Sequence, residues 1–456
     1  MSTKQYKQPT SWSSILHDPT MGKLVLSQAF FGLSYGIYNV FSMLFLSYLD
    51  GYDSVLYIAH YGIWYLVSNL SFGFIIIPAG MLIDRVGRKW VLRIGVALIA
   101  LSSFMTPLST VWWHLLIPGA ISSLGNALVA PAQSSMVADV SHGYRREKSY
   151  SLMMASQLLF STAGTVSLTL YSYFYKGVLP DNAYFVLFLF VSAMLAFVGA
   201  IPIFFVGESL ERSQKLSYPP QSDSDSRKPS DDLASKIRTS KNLGRDYLAP
   251  PSLRTNGVVL KIILINFLIG LGAGFIIPLF TYYWKDVFKL ADWMVLLITV
   301  FGDGGLVAGA LLAPWMAKRA GRTGGRVGMI VACQSASILC AVFLSAVPWF
   351  QYLPLAVVAY VLRQDLMNMI SPLTSAMLMD HSPVTRRGAV NAAQTIAFTV
   401  PNGVSVILSG IIINSSPSDF GWAYSFFVLI TLYIISTWVY YTTRKKDKAV
   451  ILSQAR

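Results

Sequence analysis

Apolar residues in this chain do not alternate with polar ones as they do along a surface helix or a half-buried strand; they run on in blocks. Twelve blocks of about 20 or more residues, the length a helix needs to cross roughly 30 Å of hydrocarbon, lie near 22–49, 55–83, 90–110, 112–139, 149–175 and 183–207, then near 257–284, 290–317, 326–347, 350–379, 388–413 and 420–442. Short polar turns separate them, with one long exception. Residues 208–256 hold ten Ser, five Pro and sixteen charged residues, a composition that cannot bury a core. The pattern predicts an all-α membrane protein of twelve transmembrane helices in two six-helix halves, 1–207 and 257–443, with a flexible cytoplasmic linker at 208–256 and a basic tail at 444–456.

The two halves repeat one another. Pro131, Ser134, Met136, Asp139, Ser141, Arg145 and Arg146 recur at a constant offset of 241 as Pro372, Ser375, Met377, Asp380, Ser382, Arg386 and Arg387. The first helix carries Gly32-Leu33-x-x-Gly36 and the seventh Gly270-Leu271-x-x-Gly274, both small-residue faces that permit close helix approach. Same-direction repeats of six spans predict two pseudo-symmetric halves related by an axis along the membrane normal.

Composition agrees with this reading, and charge distribution orients it. With 54% hydrophobic and 12% charged residues, the chain falls well short of the roughly 25% charge of soluble domains. A net charge of +14 suggests nucleic acid in a soluble protein, but here 31 of the 35 Lys and Arg fall on the amino-terminal side of the alternating loops, three (Lys176, Lys285, Lys289) on the other side and one, Arg363, within a span. By the positive-inside rule both termini are expected in the cytoplasm. Tyr48, Tyr52, Trp112, Trp113, Tyr175 and Trp349 crowd the opposite ends, as an interfacial aromatic belt does. The polar stretch Met1–Met21 lacks the succession of a cleaved signal, so the first helix is expected to insert uncleaved. Cys333 and Cys340 lie seven residues apart on one helix, about 10.5 Å along its axis, too far for a disulfide. The five histidines show no ligand spacing, so no metal is expected.

The turn between the second and third blocks reads Gly80-Met81-Leu82-Ile83-Asp84-Arg85-Val86-Gly87-Arg88-Lys89. A segment so charged cannot sit in hydrocarbon and must turn the chain at a membrane face. Its pattern, Gly-x-Leu-x-Asp-Arg-x-Gly-Arg-Lys, resembles the signature between helices 2 and 3 of the major facilitator superfamily, and the resemblance extends over nearly the whole chain. It implies a cavity between the halves that opens alternately to either side, lined by helices 1, 4, 7 and 10. It also implies a cytoplasmic latch, whose positions are filled here by Gly80, Asp84, Arg85, Gly87, Arg88 and Lys89. Asp84 is expected at the positive amino-terminal end of helix 11, just after Arg386 and Arg387. The second half carries only a degraded partner of this turn, Lys318-Arg319-Ala320-Gly321-Arg322, without the aspartate. Pro118-Gly119 stands where drug and proton antiporters of the family place an arginine, which weakens an antiporter assignment.

Few charges fall deep in the spans. Arg363 lies in the tenth helix, where an arginine costs roughly 2.5–3.5 kcal/mol unless it is paired or faces water. Asp303, within Phe301-Gly302-Asp303-Gly304-Gly305, and Asp365 are the candidate partners. Two residues subtend about 200° on a helix, so Asp303 is expected to pair with Arg363, and Asp365, left unpaired, to carry a proton. The functional reading has all three lining the cavity; the bland one has a structural ion pair between helices 8 and 10. Tyr35, Asn39, Asn126, Asn368 and Gln394 are the uncharged polar residues expected to meet a substrate, although singly each is as well explained by a helix-to-helix hydrogen bond.

No phosphate-binding loop, nucleophile or paired acid emerges, so neither ATP-driven transport nor an enzyme is expected. The expected function is secondary active transport of a small organic solute by alternating access, coupled to protons and requiring no cofactor. An uncoupled facilitator, an exporter of drugs or metabolites, and a non-transporting receptor on the same scaffold are the alternatives. The expected partners are a small-molecule substrate and the lipid bilayer of the plasma membrane, with no nucleic acid, and the expected assembly is a monomer.

Overall fold

The apolar blocks form long helices, because a backbone without water must satisfy its polar groups internally. The computed structural model describes residues 18–51, 54–140, 144–174, 180–206, 257–320, 325–382, 387–416 and 418–454. The first half consists of α1 (Pro19–Leu49), α2 (Ser54–Val86), α3 (Arg88–Met105), α4 (Leu116–Val140), α5 (Tyr144–Phe174) and α6 (Asp181–Phe204). The second consists of α7 (Gly257–Gly274), α8 (Phe280–Phe288), α9 (Asp292–Ala320), α10 (Gly325–Phe350), α11 (Leu353–Asp380), α12 (Arg387–Ser415) and α13 (Ser418–Gln454). The seventh block is broken at Gly274 and resumes through the 3-10 turn Ile277–Leu279, where Pro278 cannot donate to a helix ladder. The last helix runs on through the basic tail. The linker expected at 208–256 lies outside the described residues.

Among the described residues, nine helical segments are long enough and apolar enough to cross a membrane by length and composition alone. Exposed Phe74, Phe197, Leu339, Ile411, Phe427 and Trp438 present to the surroundings a surface that water would not tolerate and lipid would. This is a multi-pass membrane protein.

The internal repeat is visible at atomic detail. α1 packs on α5 and α6, as α7 packs on α12 and α13. A side chain at Gly32 would collide with the backbone of Gln157, and one at Gly36 with that of Ser161; a side chain at Gly270 would collide with Phe398, and one at Gly274 with Asn402. The second set is the first moved by 238 residues on one helix and 241 on the other. Both contacts are tied by hydrogen bonds that these close approaches permit, Thr165 Oγ1 to the Gly36 carbonyl at 3.1 Å and Asn402 Nδ2 to the Gly270 carbonyl at 3.1 Å. In each half the obstruction is backbone, which cannot swing aside. Gly36→Ala and Gly274→Ala are each expected to destabilise the fold by about 1–3 kcal/mol, seen as a lowered unfolding midpoint in detergent, with Gly304→Ala, whose site is open, as the silent control.

The halves meet along two seams, α2 on α12 and α5 on α9. Away from the end that carries the termini, one hydrophobic cluster joins them, holding Phe41, Tyr57 and Tyr61 from the first half with Leu279, Tyr283 and Trp284 from the second. Toward the terminal end the core divides. Met21, Leu24, Val91 and Met136 belong to one cluster of the first half alone, and Val258, Ile262, Met377 and Leu378 to one of the second. Among the described residues, the core is thus continuous between the halves on the far side and parted on the side of the termini.

Candidate functional site

Two cavities occupy the parted region. One, of about 260 Å³, is walled by α1, α3, α4 and α5. Its polar contributors are all uncharged and include Gln28, Tyr35, Asn126, Gln133 and Gln157. The other, of about 580 Å³, is walled chiefly by α7, α11, α12 and α13. Among the described residues, Arg363 is the single charged one on either wall.

The Arg363 side chain is 0% exposed, and it is not held as charge pairing alone suggests. No carboxylate among the described residues lies within salt-bridge distance. One guanidinium nitrogen donates to the Tyr433 hydroxyl at 3.4 Å, and the guanidinium carbon stands 5.8 Å from the ring centroids of both Phe280 and Tyr433. Cation–π attraction to two rings holds the charge where a carboxylate was expected. Its Nε is buried without an acceptor. The Asp303–Arg363 ion pair expected from the sequence does not form. The reason is geometric: α9 meets α11 through Gly302 and Gly305, which leaves Asp303 facing Thr165 of α5, while Asp365, two residues from Arg363 along α11, points about 200° away around that helix.

Asp303 sits instead at the α5–α9 seam, facing Thr165, with Tyr35 of α1 and Tyr360 of α11 within its electrostatic reach. Asp365 lies against Gly305, where any side chain would strike its Oδ1, and that oxygen is buried without a hydrogen-bond donor. The glycine-rich stretch in α9 thus serves close helix approach, Gly302 admitting the Tyr360 ring and Gly305 the Asp365 carboxylate. Neither aspartate lines either cavity.

Of the uncharged candidates, Tyr35 and Asn126 face the smaller cavity and Asn368 and Gln394 the larger. Asn39 is exposed but lines neither. Gln394 donates to Asn266 Oδ1 at 3.3 Å, and Asn368 to the Gln364 carbonyl at 2.8 Å. Sequence reasoning passed over Asn266, Gln364, Asn391 and Tyr433. Asn266 and Gln364 had a legible signal, since each is a polar residue in the middle of an apolar block.

At the turn between α2 and α3, Gly87 adopts φ +93°, a conformation that favours glycine, so the chain can reverse between two helices without a loop. Arg88 and Lys89 begin α3 and are partly exposed. Gly80, Asp84 and Arg85 lie in the last turns of α2 and Arg387 opens α12, but their side chains, and Arg386 altogether, lie outside the described residues. Nearby, Lys23 Nζ donates to the Phe205 carbonyl at 2.6 Å and Arg93 to that of Phe204, two cations on the carboxyl end of α6, where the helix dipole favours them.

No curated protein sequence matches the chain. Solved structures do match its fold. It is similar to a D-xylose-proton symporter, with a TM-score of 0.72 at 12% identity over 92% of this chain and 96% of that one. It is similar also to the nucleoside transporter NupG, 0.67 at 13% over 93% and 98%, and to a POT family transporter crystallised with 5-aminolevulinic acid, 0.66 at 12% over 94% and 96%. Identities this low speak for the fold alone. The family model of the Major Facilitator Superfamily, however, matches the sequence itself over residues 24–364. That match spans most of the chain and agrees with its two repeated halves: the chain belongs to the major facilitator superfamily and is a membrane transporter.

Proposed function

We propose that the protein is a secondary active transporter that carries a small organic solute across the plasma membrane by alternating access, in exchange for or together with protons. Both termini then lie in the cytoplasm, as the distribution of Lys and Arg favours, and the parted side described above faces inward. The observation that carries the reading is Arg363, a buried guanidinium on the cavity wall with no carboxylate among the described residues beside it. A charge so placed costs energy at rest, and a bound solute can repay it.

Asp365 is the proposed proton carrier. An ionised carboxylate with a buried oxygen and no donor is costly, and binding a proton removes the charge. Asp303, at the seam between the halves, is placed to sense their relative motion. That a D-xylose-proton symporter shares the fold is consistent with coupling. One observation favours a second reading, an uncoupled facilitator: neither aspartate lines a cavity.

The test is substrate-dependent proton movement in vesicles holding the purified protein, read with a pH dye across a panel of organic acids, sugars, amino acids and cationic drugs. Asp365→Asn is expected to abolish the proton signal while leaving counterflow of labelled substrate, and Asp303→Asn to slow both. If both variants transport as the wild type does and no compound moves protons, the facilitator reading replaces the coupled one.

A further inference from the structure

The chemistry of the cavity walls narrows the solute, on the premise that the protein is a transporter. Among the described residues lining the two cavities there is one full charge, the Arg363 cation, and no anion. A cationic solute meets repulsion there and no counter-charge. A dianion finds a partner for one of its charges and leaves the other in a site of low dielectric, a costly outcome. A neutral solute leaves the arginine as it is, its Nε without an acceptor. A single carboxylate gives the guanidinium a charge-assisted partner, reached once the Phe280 and Tyr433 rings that now cover it turn aside.

The rest of the larger cavity says what the carboxylate is attached to. Asn266, Gln364, Asn368, Asn391 and Gln394 line it, together with Thr and Ser hydroxyls. Gln364 and Asn391 make no side-chain hydrogen bond to the described residues, and the amide oxygens of Asn368 and Gln394 accept none. Amides present donor and acceptor side by side, the pattern that matches vicinal hydroxyls. A volume of about 580 Å³ suits a solute of metabolite size. We propose that this cavity selects small hydroxylated monocarboxylates, the class of the sugar acids, with the carboxylate on Arg363 and the hydroxyls on the surrounding amides. The smaller cavity, polar but uncharged, faces the remaining hydroxyls when the halves close.

Four ligands of one carbon skeleton separate the possibilities: glucose (neutral), gluconate (monoanion), glucarate (dianion) and glucosamine (cation). Binding is measured calorimetrically on the full chain in nanodiscs. Gluconate is expected to bind at least tenfold more tightly than each of the other three, a difference of about 1.4 kcal/mol or more. In Arg363→Gln its advantage over glucose is expected to vanish, and in Arg363→Lys to survive in part, since a point charge remains without the planar fork. The proposal is overturned if glucose, glucarate or glucosamine equals gluconate, if the preference persists in Arg363→Gln, or if none of the four binds. The ranking on unaltered protein decides the matter even if the variants do not fold. Flux of any solute in vesicles without gluconate binding would leave the transport reading intact and sink only this assignment; gluconate binding without flux would do the reverse.

Discussion

Replacing Arg363 with methionine is expected to leave the fold about as stable as before and to cut transport sharply. The two effects separate here because the guanidinium is buried with no carboxylate partner among the described residues. Where a buried ion pair exists, removing one member strands the other and costs several kcal/mol. Around Arg363 the neighbours are Phe280 and Tyr433 rings and a single hydroxyl, all of which accept a thioether of similar length. The buried Nε without an acceptor is relieved, a gain of about 1–3 kcal/mol, offset by two cation–π contacts of about 0.5–2 kcal/mol each. The two nearly cancel, and the expected unfolding midpoint in detergent is close to that of wild type. Transport meanwhile loses a charge-assisted bond to substrate of about 1.5–3 kcal/mol, a fall of roughly 10- to 150-fold in uptake at limiting solute. Uptake by vesicles and thermal unfolding of the same preparation check both halves of the claim. A midpoint lowered by many degrees would mean that Arg363 is structural; unchanged uptake would remove it from the site.

The architecture was legible because its signals are one-dimensional. Blocks of apolar residues name helices whatever they pack against, and the offset of 241 between Pro131–Arg146 and Pro372–Arg387 announces duplication without any reference to contacts. Even the glycine pairs at 32 and 36 and at 270 and 274 could be assigned to close approach, although not to the partners Gln157, Ser161, Phe398 and Asn402. The site was legible only in part. Sequence picks out Arg363 as an anomaly, and the structure puts it on a cavity wall. What sequence cannot convey is which face of α9 meets α11, and here that face carries Gly302 and Gly305 rather than Asp303. The rule that a buried arginine seeks a carboxylate then gave the wrong partner, because aromatic faces supply a second way to hold a cation. Asn39 illustrates the converse: it is polar, at cavity depth by count, and yet apart from both cavities.

The two halves, alike in backbone, differ in chemistry. The repeat places α1, α4 and α5 against one cavity and α7, α11 and α12 against the other, but only the second carries a charge. On the proposed alternating-access reading, duplication supplies the symmetry and divergence confines recognition to one side of it, so that a solute anchored to the second half would be released or enclosed as the uncharged first half moves across it.

Two aromatic contacts cross the far side beside the apolar cluster there, and loosening them is expected to tip the protein toward its opposite state. Across the seam there, the Tyr57 ring of α2 lies 5.3 Å from Tyr282 of α8, and Tyr173 of α5 lies 5.0 Å from Trp293 of α9. α8 is anchored to its own half, Tyr283 donating to the Leu344 carbonyl at 2.9 Å and Trp422 to Asp286 at 2.7 Å, so the rings facing the first half can be cut without releasing the helix. Each aromatic pair contributes about 0.5–1.5 kcal/mol, and removing both by Tyr57→Ala with Trp293→Ala should shift the equilibrium by about 1–3 kcal/mol, or roughly 5- to 150-fold. The readout is a cysteine at Leu44, 4% exposed beside Tyr57 and Tyr282 on the far side, in a background lacking Cys333 and Cys340. An impermeant thiol reagent added opposite the termini should label it faster in the double variant by that factor. A shift toward the opened state also withdraws the larger cavity from the terminal side, so reagent added there should label a cysteine at Asn368 more slowly. Faster labelling of both positions from both sides would indicate unfolding of the seam. No change at either would show that the apolar cluster around Phe41 and Tyr61 closes the far side without these rings.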